Sequence, residues 1–288
     1  MARHVGDAPA LTTILRYAPY VLWRPESLPE RLAAADETVA LATGAGLADQ
    51  LLWGQVNAFA ERLESGDISG ADQALDAARA LAERARHRWF AWYLPTLLAT
   101  RRLFEGDVDE GEWLARSALE SRLAIEPGAT EVFAAQLALC ARVRGSVDPL
   151  VLPYLTAQVE RFADRPLWRV LLDDALITAD RHDEARPVLA SVLAEDLPSN
   201  ADRLAVLALS VEAAARLGEI ETASARVDAL RAFAGRFILV DRAWAVWGPT
   251  DRGLGVAFAA RGDATAAAEH FARAERQLAA AGAVWPAA

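Results

Sequence analysis

The sequence of 288 residues contains no lysine, and all 30 of its basic residues are arginine. A phosphate-binding loop needs that lysine on the phosphates, and Schiff-base or PLP chemistry needs its amine, so both classes are excluded. One cysteine, Cys140, excludes an internal disulfide and accords with a reducing, cytoplasmic setting. The four histidines, His4, His87, His182 and His270, have no metal-ligand spacing to one another or to Cys140, so no metal site is expected. No apolar run approaches the ~20 residues that cross a bilayer, and the N-terminus lacks the basic segment and apolar core of a secretory signal. Acidic residues outnumber basic ones, 40 to 30, and the net charge of −10 argues against nucleic acid or an anionic membrane as partner. There is no Gly-x-Ser-x-Gly elbow, and Cys140, in an apolar helical stretch, reads as core. Asp173 and Asp174 point about 100° apart on a helix, so they form no tight carboxylate dyad and read as surface or hydrogen-bonded groups. The expectation is a non-enzymatic chain with no catalytic residue and no cofactor.

What is present is a recurring turn. Hydrophobic residues make up 53% of the chain, mostly alanine and leucine, which favours helices throughout. A glycine followed by an acid returns at Gly66-Asp67, Gly106-Asp107, Gly218-Glu219 and Gly262-Asp263, with looser copies at Gly145 and Asp180. Glycine just past a helix end closes the last carbonyls in the left-handed conformation, and the acid suits the start of the next helix. Five residues after each turn stand Ala71, Gly111, Leu150, Ala185, Ala223 and Ala267. Nine on come Leu75, Ala115, Tyr154, Leu189, Val227 and Phe271; twelve on, Ala78, Ala118, Ala157, Val192, Leu230 and Ala274. These three offsets share one face of a helix, so each turn joins two helices packed back to back. The spacing of about 35 to 44 residues falls between tetratricopeptide and HEAT periods, and the turn chemistry leans to the former.

The pattern predicts an all-α, tetratricopeptide-like α-solenoid of about seven helical hairpins, forming a single domain over residues 1–288. The first hairpin lacks the glycine-acid turn; it pairs Ala8–Trp23 with a helix from Ser27, expected as its cap, to about Thr43. Pro95 is expected to kink the first helix of repeat three, and Pro127-Gly128 to stop its second. Residues 235–249 break the rhythm: Phe237-Ile238-Leu239-Val240 looks briefly like a strand, and the segment reads as an ordered apolar connector on the solenoid, without a separate sheet. After Gly282 the chain is expected to enter another helix past Trp285, and the open apolar end is expected to favour self-association.

The last third, with Ala234-Gly235-Arg236, Trp247-Gly248-Pro249, Leu254-Gly255, Ala260-Arg261-Gly262-Asp263 and Glu269-His270-Phe271, resembles the C-terminal helical region of large bacterial signalling ATPases. Trp23-Arg24-Pro25-Glu26-Ser27-Leu28 looks like the start of the same region. These proteins include LuxR-type transcriptional regulators and adenylate/guanylate cyclase–ATPase fusions. The resemblance implies a sensor or scaffold with a right-handed superhelix, and it carries over no catalytic residue.

Two sets of residues are candidates for binding. Trp53, Trp89, Trp92, Tyr93 and Trp168 fall in first helices of repeats, which line the concave face of such superhelices; Asn57 and Gln136 are polar positions in the same helices. Together they make a candidate groove with aromatic walls and amide hydrogen-bonders. Ordinary inter-repeat packing accounts for the tryptophans equally well. Arg84, Arg86 and Arg88, with His87 among them, form a basic cluster that is either a solvated helix end or a contact for an anion or acidic partner. The expected function is a protein-interaction or sensory module of a bacterial transcriptional or signalling regulator. Its concave face would take a peptide, a partner domain (including other domains of a parent regulator) or an effector. The alternative is a dedicated small-molecule receptor with an aromatic-lined groove. Stability is expected to be nearly additive along the array, with the last repeat fraying first.

Overall fold

The computed structural model describes residues 7–22, 24–121 and 128–285. Expectations at His4, Trp23, Pro127 and beyond Trp285 lie outside the described residues. The fold is all-α, with fourteen α-helices and one two-stranded sheet among the described residues. The helices pair as α1 (Ala8–Val21) with α2 (Leu28–Ala45), α3 (Ala48–Ser65) with α4 (Ile68–Ala85), and α5 (Phe90–Glu105) with α6 (Val108–Glu120). Next come α7 (Ala129–Arg144) with α8 (Val151–Arg161), α9 (Pro166–Thr178) with α10 (His182–Leu193), and α11 (Arg203–Arg216) with α12 (Ser224–Arg231). A β-hairpin, β1 (Phe237–Val240) and β2 (Ala245–Pro249), precedes the last pair, α13 (Thr250–Ala260) and α14 (Ala264–Ala281). The first helices also stack in series, α5 on α7, α7 on α9, α9 on α11 and α11 on α13.

The turns work as their residues dictate. Gly66, Gly106 and Gly262 adopt φ of +85°, +91° and +78°, and the following aspartates cap the next helix. Asp67 Oδ1 accepts from Gly70 N at 3.0 Å, Asp107 Oδ1 from Glu110 N at 3.2 Å and Asp263 Oδ1 from Ala266 N at 3.0 Å. Each such cap contributes about 1 kcal/mol. The close approach expected one turn later is present at Gly111, where a Cβ would stand 2.6 Å from the Leu103 side chain and 3.1 Å from the Leu103 backbone nitrogen.

Three local expectations are corrected. Repeat four is out of register: Leu150 is 46% exposed and Ala157 is exposed, while Val151, Leu155 and Gln158 face the core. Residues 146–150 form the longer connection there, so the helix begins at Val151 and the buried positions fall one residue later. Ser27 does not cap α2; its hydroxyl donates instead toward Leu22 O and Arg24 O, at 2.6 and 2.8 Å. The segment before the last repeat is a real antiparallel hairpin, pairing Leu239 with Val246 and Val240 with Ala245. Its second strand, Ala245–Pro249, was hidden in sequence by two tryptophans and a Gly-Pro that read as a loop. As expected, the segment is apolar and packed on the helices: every residue of both strands is buried.

The buried apolar residues form one continuous cluster from Ala35 in α2 to Trp285, and the hairpin sits within it. The hairpin touches α3, α5, α7, α11, α13 and α14. Trp285, expected at an open end, is 9% exposed and lies against Gly248; the neighbouring Val284 is 61% exposed. No described helix is long and apolar enough to cross a membrane.

Candidate functional site

The first helices carry their apolar residues nearly all round, so they present a second face in addition to the one packed on their partners. That second face meets the hairpin. The candidate groove residues fall into separate groups: Trp53, Trp89, Trp92 and Tyr93 pack on one another, while Trp168 and Asn57 contact the hairpin turn directly and Gln136 reaches it through Thr100. Trp53 lies 4.9 Å from Trp89 and 5.1 Å from Phe90, centroid to centroid, and Trp89 lies 4.7 Å from Tyr93 and 5.7 Å from Trp92. The Arg16 guanidinium of α1 stacks 3.9 Å over Trp53, closing the aromatic group from the N-terminal side. Trp168 is wholly buried and stacks on Trp244 of the hairpin turn at 6.3 Å.

The amides are equally engaged. Asn57 donates from Nδ2 to Arg16 O at 3.1 Å and accepts from Arg242 at 2.9 Å. Gln136 donates to Thr96 O at 2.8 Å and to Thr100 Oγ1 at 3.1 Å. Thr100 Oγ1 in turn lies 2.9 Å from Ala243 O and 2.8 Å from Trp244 O, giving its one proton to one carbonyl at a time. Thr100 thus holds the hairpin turn at the carbonyls of Ala243 and Trp244, while Asn57 holds it at the Arg242 side chain. The turn itself holds Asp241 and Ala243 at φ of +48° and +62°, in the left-handed region that alanine avoids.

Two buried ionic clusters border this contact, a third ties α7, α9, α11 and α13 together, and sequence reasoning missed all three. Arg31 bonds Glu61 and Glu64; Arg236 bonds Glu64 at 2.9 Å, and Arg242 bonds Glu61 at 3.3 Å. Arg165 makes a two-pronged pair with Asp202, at 2.6 and 2.8 Å, and also bonds Asp241 of the turn. Arg142 bridges Asp174 and Glu212, which are joined by Arg216 and Arg252. Burial pushes the carboxyls of Glu61 and Asp241 upward against the pull of their arginines. In Glu212, by contrast, the attraction of Arg252 and Arg142 outweighs burial and holds the carboxyl low. The signal available in sequence was a set of charges at apolar-face positions of first helices, such as Glu61 and Glu64 among Phe59, Ala60 and Leu63.

Cys140 is buried, and burial pushes its thiol up to about 12, so it is a core group. Asp174 is bonded to Arg142 and Arg216, but Asp173 is only 1% exposed and neither carboxylate oxygen has a hydrogen-bond partner. Burial, with Asp174 beside it, pushes the Asp173 carboxyl up to about 8. His270 is held by Asp251 at 2.7 Å and stacks on Phe258, and His87 Nδ1 accepts from Phe90 N at 3.4 Å. No group of three or more metal-ligating side chains occurs among the described residues.

The basic cluster borders an open cleft of about 530 Å³ between α4, α5 and α6. Its floor is apolar, made by Ala82, Phe90, Leu94, Leu98 and Leu114, with Pro95 in the through-running helix α5. Arg79, Arg86 and Arg88 stand at its rim with Glu83 and His87; Arg84 is exposed but does not line it. Arg86 ends α4 at φ +47°, a left-handed position that glycine fills in most other turns, and this costs about 1 kcal/mol. Arg79 is paired with Asp76 at 3.5 Å on the surface, a contact worth little. No protein-family model matches the chain, and a search of curated proteins finds no match.

Proposed function

We propose that this chain is a non-enzymatic interaction and sensory module, the helical-repeat part of a bacterial signalling or transcriptional regulator working in the cytoplasm. The resemblance of its last third to the C-terminal region of signalling ATPases supports that placement. The observation that carries the reading is the way the stacked first helices hold residues 241–244 by side-chain bonds to peptide carbonyls and by paired arginines. Stacked repeats bind their ligands on extended faces of this kind, and here the face is directed at a segment of the same chain. With that face occupied, an external partner or effector meets the module at the cleft beside Arg86, where an apolar floor and a basic rim stand open.

The test is site-specific photocrosslinking in the native host. A photoreactive benzoylphenylalanine replaces Leu98 on the cleft floor, and in a second strain the exposed Glu160 as control. A discrete adduct at position 98 that Arg86→Glu abolishes is the expected result. Adducts that form equally at position 160, or none at either, would remove the support for an interaction site in the cleft. The alternative of a small-molecule receptor finds its support in the cleft volume, which falls in the range of small-ligand sites.

A further inference from the structure

We infer that the cleft beside Arg86 binds an amphipathic monocarboxylate, one acid group on a hydrocarbon body. The inference deepens the sensory reading above and rests on it for the location of the site. Three observations converge. The floor offers aliphatic and aromatic carbon from three helices, and the volume of about 530 Å³ suits a single small ligand better than a folded partner element. The rim carries Arg79, Arg86 and Arg88 against the single acid Glu83, a local excess of positive charge in a chain whose net charge is −10. And the turn at the end of α4 keeps an arginine in a left-handed conformation where Gly46, Gly66, Gly106, Gly145 and Gly218 end other helices.

A glycine at residue 86 would relieve the backbone and close the helix as well. An arginine there sets its guanidinium at the rim, within reach of an anion whose apolar part lies on Phe90, Leu94 and Leu98. A guanidinium binds a carboxylate through two parallel hydrogen bonds, and the low polarity of the adjoining floor strengthens them. An apolar body without charge would gain the floor but make no contact with the Arg86 guanidinium; a bare anion would gain the rim but bury no hydrocarbon. The combination selects a ligand that is both.

The test uses the full chain, freed of bound lipid by chromatography, and sodium dodecanoate below its micelle concentration. Binding is followed by isothermal titration and by tryptophan fluorescence, since Trp89 adjoins two cleft residues. Saturable one-to-one binding is expected, weakened at least tenfold in Arg86→Gly. Because that substitution relieves strain, its melting temperature should equal or exceed that of the unaltered chain, which separates lost binding from lost fold. Dodecan-1-ol, with the same body and no charge, should bind at least tenfold more weakly. The inference is overturned if dodecanoate does not saturate, if dodecan-1-ol binds as tightly, or if Arg86→Gly leaves the affinity unchanged. It is also overturned if an acetylated Leu/Glu helical peptide displaces dodecanoate and binds more tightly, since the site would then be a peptide groove. A cleft-specific crosslink at position 98 in the host, found alongside any of these, would keep the module reading and reject only the ligand class.

Discussion

Replacing Asp173 by asparagine should change how the stability of this protein depends on pH. The carboxyl sits on α9, 1% exposed, with no partner for either oxygen, and beside an aspartate already held by two arginines. Burial and then Asp174 push it from the usual 3.8 to about 8, so the folded state holds a proton that the unfolded chain releases in acid. A raised carboxyl stabilises the fold fully below 3.8, and that contribution is lost as pH rises towards 8. Within this window the slope is about 1.4 kcal/mol per pH unit, so the loss from pH 5 to pH 7 is about 3 kcal/mol. Asparagine keeps the shape and has no proton to lose. Urea unfolding of both proteins from pH 5 to pH 8.5 should show stability curves that separate steadily, the variant gaining on the unaltered chain as pH rises. Parallel curves would refute the reasoning and would mean that Asp173 is ionised and solvated in the folded state.

Gly111→Ala should lower stability by about 1–3 kcal/mol in chemical denaturation, because its methyl group would press on both the side chain and the backbone of Leu103. Arg242→Met should cost about 3 kcal/mol, near the lower end for breaking a buried pair, because Glu61 keeps Arg31 as a partner. Removing Arg242 also raises the Glu61 carboxyl further above its usual 4.5. A raised carboxyl favours folding at low pH and opposes it as pH rises, so the deficit of this variant should shrink between pH 8 and pH 5.

The repeat was legible because its parts are local. A left-handed glycine, an acid that caps the next helix and an apolar face at fixed offsets all lie within about twelve residues, and each leaves its mark on the sequence. Repeat four shows the limit, since the longer connection at 146–150 moved the buried face by one residue without disturbing the turn glycine. The aromatic and amide residues of the first helices were also legible as a group that faces something. What they face was not, because the contact joins Asn57 to Arg242, 185 residues away, and Glu64 to Arg236, 172 away. Such contacts also bear on the additivity expected of a repeat array, since the hairpin couples α3 to α11 directly and neighbours are no longer the only partners. Arg86 stood out as one of a basic run, while the cleft beside it depends on how α4, α5 and α6 meet.

The hairpin of residues 237–249 packs on the inner face of the first helices α3, α5, α7, α11 and α13. Native-state hydrogen exchange read by mass spectrometry tests it most directly. The amides of Leu239, Val240 and Val246 should exchange as slowly as those at the centre of α5, because both lie in the same buried cluster. Exchange of the hairpin amides within seconds, with α3, α5 and α7 still protected, would show an open groove and contradict the account.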